Sequence, residues 1–182
     1  MILNARNNNF VFRFPQGFIF PELETKYVKY LRRMNTPFDR VHDYLNHTVQ
    51  SVTFPSISTG MVIQTLDKIP QNWRQTVDMS KAMAKEMTVN FQATDGYLNY
   101  WLMFEQFQEY IRLENNVTEY FPDFSLQFLD RVGYQLLNVK IMQPIMISLD
   151  AVEMSYSSII PDFKSFSATF AFNHFELEVV LD

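Results

Sequence analysis

Apolar residues alternate with period two at both ends of this chain, and that pattern constrains the fold more than any other feature. Phe10-Val11-Phe12-Arg13-Phe14 puts three phenylalanines on one side of an extended segment, and Phe166, Ala168, Phe170 and Phe172 repeat the pattern near the other end. A period of two marks a strand with one buried face. The same signal recurs at Met87, Val89 and Phe91, at Phe124-Ser125-Leu126-Gln127-Phe128, through residues 134–141, and at Ile145, Ile147 and Leu149, followed by Val152, Met154 and Tyr156. After Phe172 the apolar residues change parity to Phe175, Leu177 and Val179, which a bulge near Asn173-His174 would produce. Strands spread over the whole length, with a single long helical pattern among them, predict a mainly β chain of the α+β class. Its architecture is expected to be an antiparallel β-barrel or closed sandwich in one domain, 1–182.

Two stretches depart from strand periodicity. In residues 20–50 the spacing turns helical: Leu23, Tyr27, Tyr30, Leu31 and Met34 form one stripe after Pro21, and Phe38, Val41, Tyr44 and Leu45 form a second beyond Asn35-Thr36-Pro37. This predicts a helical hairpin inserted between strands, with Ser51-Val52-Thr53-Phe54 resuming the sheet. The long helix follows Asp95, a candidate N-cap. Its predicted core stripe is Tyr97, Trp101, Phe104, Gln108 and Ile111, flanked by Leu98, Leu102 and Phe107. Residues 61–85 read as a protruding two-stranded arm, with Met61-Val62-Ile63-Gln64-Thr65-Leu66 as its first strand.

Composition sets the class of function. The 182 residues carry 15 Lys and Arg against 20 Asp and Glu, a formal charge of −5, which argues against a protein that grips nucleic acid by its phosphates. Absence of cysteine excludes disulfides, thiolate metal sites and a cysteine nucleophile. The greasiest region, residues 134–149, is interrupted by Asn138, Lys140, Gln143 and Pro144, short of the ~20 apolar residues of a membrane helix. With no signal-peptide pattern at its start, the chain reads as a soluble intracellular product. Phe, Tyr and Trp reach 16% of residues against only 4 Gly, more aromatic surface than a small monomer easily hides.

Few residues offer chemistry. His42 and His47 are five apart, unlike the i, i+4 spacing of a shared zinc site. Asp39, His42 and Asp43 share a helix face, which reads as a solvated surface, and His174 reads as a surface or interface histidine. Glu105, Glu109 and Glu114 show no acid/base pairing pattern, and nucleophile elbows, phosphate loops and dinucleotide fingerprints are absent. A structural protein without metal, cofactor or enzymatic activity is expected. The arm and the strand edges are the candidate partner surfaces, because free edges bond readily to other chains. Within the arm the candidate contacts are Met61, Ile63, Leu66, Trp73, Val77 and Met79.

The order of these segments resembles the tail tube proteins of contractile-tailed phages. The resemblance is carried by the early Phe-rich strand, Val-Thr-Phe-Pro-Ser-Ile at 52–57, the arm, and Met-Thr-Val-Asn-Phe at 87–91 leading into the helix. The closing strands Ile145-Met-Ile-Ser-Leu, Val152-Glu-Met-Ser-Tyr and Phe166-Ser-Ala-Thr-Phe-Ala-Phe complete it. It implies a virion structural subunit that forms stacked hexameric rings through which DNA is ejected. Its partners would be itself, sheath and baseplate proteins and transient DNA, with assembly in the host cytoplasm. The insertion at 20–50 departs from the minimal pattern and leaves room for a tube-initiating or baseplate role. From another class, a monomeric ligand-binding or enzymatic β-barrel is the alternative.

Overall fold

The computed structural model describes residues 9–54, 62–66, 69–73, 85–114, 120–152 and 164–179. Two four-stranded antiparallel sheets carry the fold. Sheet 1 has the order β1 (Phe10–Arg13), β6 (Phe124–Leu129), β7 (Gln135–Met142), β10 (His174–Val179). Sheet 2 has the order β2 (Val49–Thr53), β5 (Glu86–Gln92), β9 (Ser165–Ala171), β8 (Ile145–Leu149). A separate hairpin pairs β3 (Val62–Leu66) with β4 (Ile69–Trp73). Three helices complete the described elements: α1 (Pro21–Arg33), α2 (Val41–His47) and α3 (Leu98–Glu114). The mainly β, α+β expectation holds in its sandwich form, and no closed barrel forms among the described residues.

The period-two residues meet between the sheets. Phe12, Phe124, Leu126, Val139 and Ile141 from sheet 1 are buried with Met87, Val89, Phe91, Phe166, Ala168 and Phe170 from sheet 2. Phe14, just beyond β1, is the hub: its ring lies 4.5–6.0 Å from those of Phe12, Phe18, Phe91, Phe124 and Phe170. Aromatic pairs at such offset and edge geometries add roughly 0.5–1.5 kcal/mol each beyond burial. Much of the aromatic surplus is therefore ordinary sandwich interior.

The parity change after Phe172 has a different cause from the expected bulge. Phe172 and Asn173 form a corner where the chain leaves sheet 2 and enters sheet 1, so β9 and β10 lie in different sheets and each obeys its own alternation. Gln143-Pro144 makes the parallel corner from β7 to β8. Val152 lies outside any strand, and the expected continuation through Met154 and Tyr156 falls outside the described residues.

The turn between β6 and β7 is built on Asp130. One carboxylate oxygen accepts from the backbone N–H groups of Val132, Gly133 and Tyr134 at 2.7–2.8 Å, and Gly133 supplies a φ of +100°. The Tyr134 amide, then those of Val132 and Gly133, hold the carboxyl below its usual pKa. A lowered folded pKa gives stability that is present above the unfolded value and is lost as pH falls through the folded one. Asp130→Ala is thus expected to lower the thermal midpoint at pH 7, with a gap to the wild type that closes on acidification. Parallel melts from pH 7 down to pH 2 check this.

The two helices between β1 and β2 pack into the body of the fold. Leu23, Tyr27 and Leu31 of α1 and Val41, Tyr44 and Leu45 of α2 belong to the same buried cluster as the sheets. Tyr30 and Met34, expected in the α1 stripe, are exposed.

Candidate assembly surface

α3 is held by two buried amides. Asn99 donates to the Gln92 carbonyl at 2.7 Å and accepts from the Thr94 N–H at 3.1 Å. Gln106 donates to the Phe18 carbonyl at 2.7 Å and accepts from the Phe20 N–H at 3.1 Å. With Leu102, Met103 and Tyr110 they form the buried stripe. The helix is therefore rotated from the sequence expectation: Trp101 is 45% and Ile111 47% exposed, Gln108 is exposed, and Phe104 is only half-buried. Asp95 does not cap the helix either. It lies in a 3-10 turn, Asp95–Tyr97, where Gly96 has a φ of +66° and the helix proper starts at Leu98.

The candidate chemical groups serve structure. His42 Nε2 donates to the Phe14 carbonyl at 2.5 Å, and Asn46 accepts from the Phe14 N–H at 2.8 Å. So α2 clamps the end of β1, and His42 is no freely solvated residue as expected. Glu105 accepts from Lys26 at 2.6 and 2.7 Å, joining α3 to α1. Burial, with the nearby Glu105 carboxylate second, pushes the Tyr27 hydroxyl well above its usual pKa. His174 is exposed, 4.0 Å from Glu176. Among the described residues no three His, Asp or Glu side chains are grouped to hold a metal, and no helix is long and apolar enough to cross a membrane.

Of the six arm residues, Ile63, Leu66 and Trp73 lie in the β3–β4 hairpin, while Met61, Val77 and Met79 fall outside the described residues. Residues 62–66 and 69–73 pair as an antiparallel ribbon. Its register pairs Val62 with Trp73, Ile63 with Asn72 and Leu66 with Ile69. Among the described residues the ribbon pairs with neither large sheet.

Among the residues whose burial is described, five of the twelve exposed large apolar side chains, Val132, Tyr134, Leu136, Leu177 and Val179, lie in the β6–β7 turn, β7 and β10 of sheet 1. Leu177 and Val179 stand on the core-facing side, since Leu177 is opposite buried Val139 and Val179 is opposite Leu137. The row Phe12, Leu126, Val139, Leu177 runs straight across the sheet. Its first three members are buried, and Leu177 is 61% exposed, with Val179 at 65%. Sequence alternation identifies these two as inward residues, but their exposure at the edge of the sheet is visible only in three dimensions.

The outward faces differ. Sheet 2 presents hydroxyls and amides: Thr88 and Thr169 pair at 3.3 Å, and Asn90 donates to Ser51 at 2.8 Å. Sheet 1 presents charges, with Arg13, Lys140, Glu176 and Glu178 on its outward side and Lys140 3.4 Å from Asp123.

No family model and no curated protein matches the sequence. Among solved structures, the chain is similar to one in the anti-feeding prophage cap, the AFP tube terminating cap. The two share 10% identity at a TM-score of 0.51, over 99% of this chain and 94% of that one. Two further matches come from the PVC extracellular contractile injection system in its extended state. They are a chain of the sheath/tube terminator (10% identity, TM-score 0.49, 98% and 99% covered) and one of the sheath-tube complex (11%, 0.48, 97% and 93%). The fold is that of the tail-tube-like proteins of contractile injection systems.

Proposed function

We propose that this chain is a structural subunit of a phage-type contractile tail, assembling into hexameric rings that stack into a conduit for DNA ejection. The observation that carries the reading is the likeness to the AFP tube terminating cap across nearly the whole of both chains. The β3–β4 ribbon, which pairs with neither large sheet among the described residues, and the exposed Leu177 and Val179 of sheet 1 supply surfaces for assembly. A formal charge of −5 suits a channel wall that repels phosphates and does not retain passing DNA. Its partners are then further copies of itself and the sheath and baseplate proteins, met in the host cytoplasm during assembly. A specialised ring at one end of the tube is the second reading, favoured by the description of the AFP neighbour as a terminating cap.

Negative-stain microscopy of concentrated protein, alone and with its neighbouring tail proteins, tests the proposal. Open-ended tubes are expected for a main subunit and single rings on tube ends for a terminal one. A strictly monomeric chain under all these conditions overturns both. In this reading the arm, through Met61, Ile63, Leu66, Trp73, Val77 and Met79, touches the next ring. Ile63→Asp is expected to abolish stacked tubes while leaving the circular dichroism spectrum unchanged. Loss of the spectrum itself would instead place Ile63 in the core.

A further inference from the structure

We infer that the exposed face of α1 is a docking site for a short acidic segment of a protein other than this chain. The segment's carboxylates meet Lys29, Arg32 and Arg33, and an apolar residue between them meets Tyr30. This contact stands apart from ring assembly and does not depend on it.

Charge is unevenly spread along the chain. Residues 26–40 hold Lys26, Lys29, Arg32, Arg33 and Arg40 against Asp39 alone, a formal +4 in a chain whose total is −5, so the remainder carries −9. All five cations are exposed. Lys26 is paired with Glu105, whereas Lys29, Arg32, Arg33 and Arg40 have no ion pair among the described residues.

The helix itself gains only part of what this row could give. Cations in the last turn complement the helix dipole, which accounts for Arg32 and Arg33. Lys29 precedes that turn. Its neighbours three and four residues away on the helix surface are Lys26, Arg32, Arg33 and Thr25, three like charges and no acid. Like charges at these spacings repel, and a carboxylate from outside the chain removes that repulsion.

Shape supplies a second observation. An open hollow beside the row is lined by Glu22, Thr25, Lys26, Lys29, Tyr30 and Arg33. Tyr30 is 45% and Met34 42% exposed, and at a spacing of four they form an apolar strip next to the cations. Tyr and Arg are the side chains that most often anchor a protein contact. Glu22 closes the N-terminal end of the hollow, so a partner's carboxylates are directed toward Arg33.

Size and field select the occupant. From Lys26 to Arg33 the helix advances about 10 Å, enough for a few residues of a partner. A nucleic-acid strand extends further, onto residues that sum to −9 and repel its phosphates. A short acidic segment meets only the basic face. In a second copy the outward carboxylates of sheet 1 are already engaged, Glu176 opposite Lys140 and Glu178 by Asn138 at 3.0 Å.

Fluorescence anisotropy of the full chain with a short labelled peptide of Glu and Leu tests the contact. The comparison probes are the same peptide with Gln for Glu, the same with Ser for Leu, and a short single strand of DNA. The Glu–Leu peptide should bind best, and salt should weaken it. The double variant Lys29→Gln, Arg33→Gln should bind it roughly tenfold less well, and Tyr30→Ser should lose the preference for Leu over Ser. Arg131→Gln, in the β6–β7 turn, is the control and should bind as the wild type does. Lys29→Gln alone should weaken binding with a melting temperature no lower than the wild type's, because repulsion within the row is relieved. A lower melting temperature would assign Lys29 to the fold and overturn the inference. Absence of binding at low salt, equal binding of the Glu and Gln peptides, or full binding by the double variant also overturns it. Tighter binding of the DNA overturns it in favour of a nucleic-acid contact. Self-association of the wild type that the double variant loses overturns it in favour of a second copy.

Discussion

Phe14→Ala is expected to destabilise the fold by about 3–5 kcal/mol, the range for deleting a buried phenylalanine. That is a large part of the roughly 5–15 kcal/mol that holds a typical domain together. Its ring is almost fully buried and touches five other phenylalanine rings drawn from β1, the following loop, β5, β6 and β9. Removing it opens a cavity where both sheets meet, and neighbours anchored in strands collapse into such a space only partly. Its backbone is held by His42 and Asn46, so β1 cannot slide to refill the void. Phe14→Leu, which keeps much of the apolar volume, should cost clearly less. Trp101→Ala is the matched control. A Trp101 in the core stripe, as the sequence spacing predicts, would cost as much as Phe14, whereas the exposed Trp101 of the structure should stay within about 0.5 kcal/mol of wild type. Urea denaturation midpoints for the three variants decide the matter: equal losses for Phe14→Ala and Trp101→Ala would mean that α3 is rotated relative to the description above.

Why the strands were legible and the face of α3 was not follows from what local sequence can encode. Burial of one side of a sheet forces alternation within each strand, so Phe10 to Phe14, Phe124 to Phe128 and Phe166 to Phe172 announce themselves. The inner face of α3 carries Asn99 and Gln106, which score as polar in any stripe. They tolerate burial because backbone groups meet them, and the partners of Gln106 lie more than 80 residues away at Phe18 and Phe20. Nothing in a helical window announces that pairing. The corner at Phe172 was misread for a related reason: one extra residue and a change of sheet both flip parity, and only the pairing of β10 with β7 separates them. His42 looked solvated because its partner, the Phe14 carbonyl, belongs to another element. Of the surfaces proposed for assembly, residues 61–85 carry a ribbon pattern in the sequence, whereas the exposure of Leu177 and Val179 on β10 does not show there, since both read as core.

Gln106 offers the sharpest test of the buried amide, because two substitutions separate by pH. Gln106→Leu removes both hydrogen bonds and leaves the Phe18 carbonyl and the Phe20 N–H buried without partners. At roughly 1–3 kcal/mol for each orphaned group, with some relaxation of the loop, about 2–4 kcal/mol should be lost at every pH. In Gln106→Glu one oxygen still accepts from Phe20, but the other replaces a donor and faces the Phe18 carbonyl. The ionised form is therefore penalised by burial and by oxygen–oxygen repulsion, which raises the carboxyl pKa in the folded state. A folded pKa above the unfolded value means that stability falls as pH rises between the two, and that the full deficit is present above the folded pKa. Below the unfolded carboxyl pKa the neutral acid can donate its O–H to Phe18 and restore the pair. Gln106→Glu should accordingly equal or exceed the Gln106→Leu deficit at pH 7 and recover toward wild type near pH 4. The leucine variant should keep a constant gap. Denaturation midpoints measured at both pH values would refute the clamp if the glutamate variant showed no recovery on acidification, since its second oxygen would then have no carbonyl to meet.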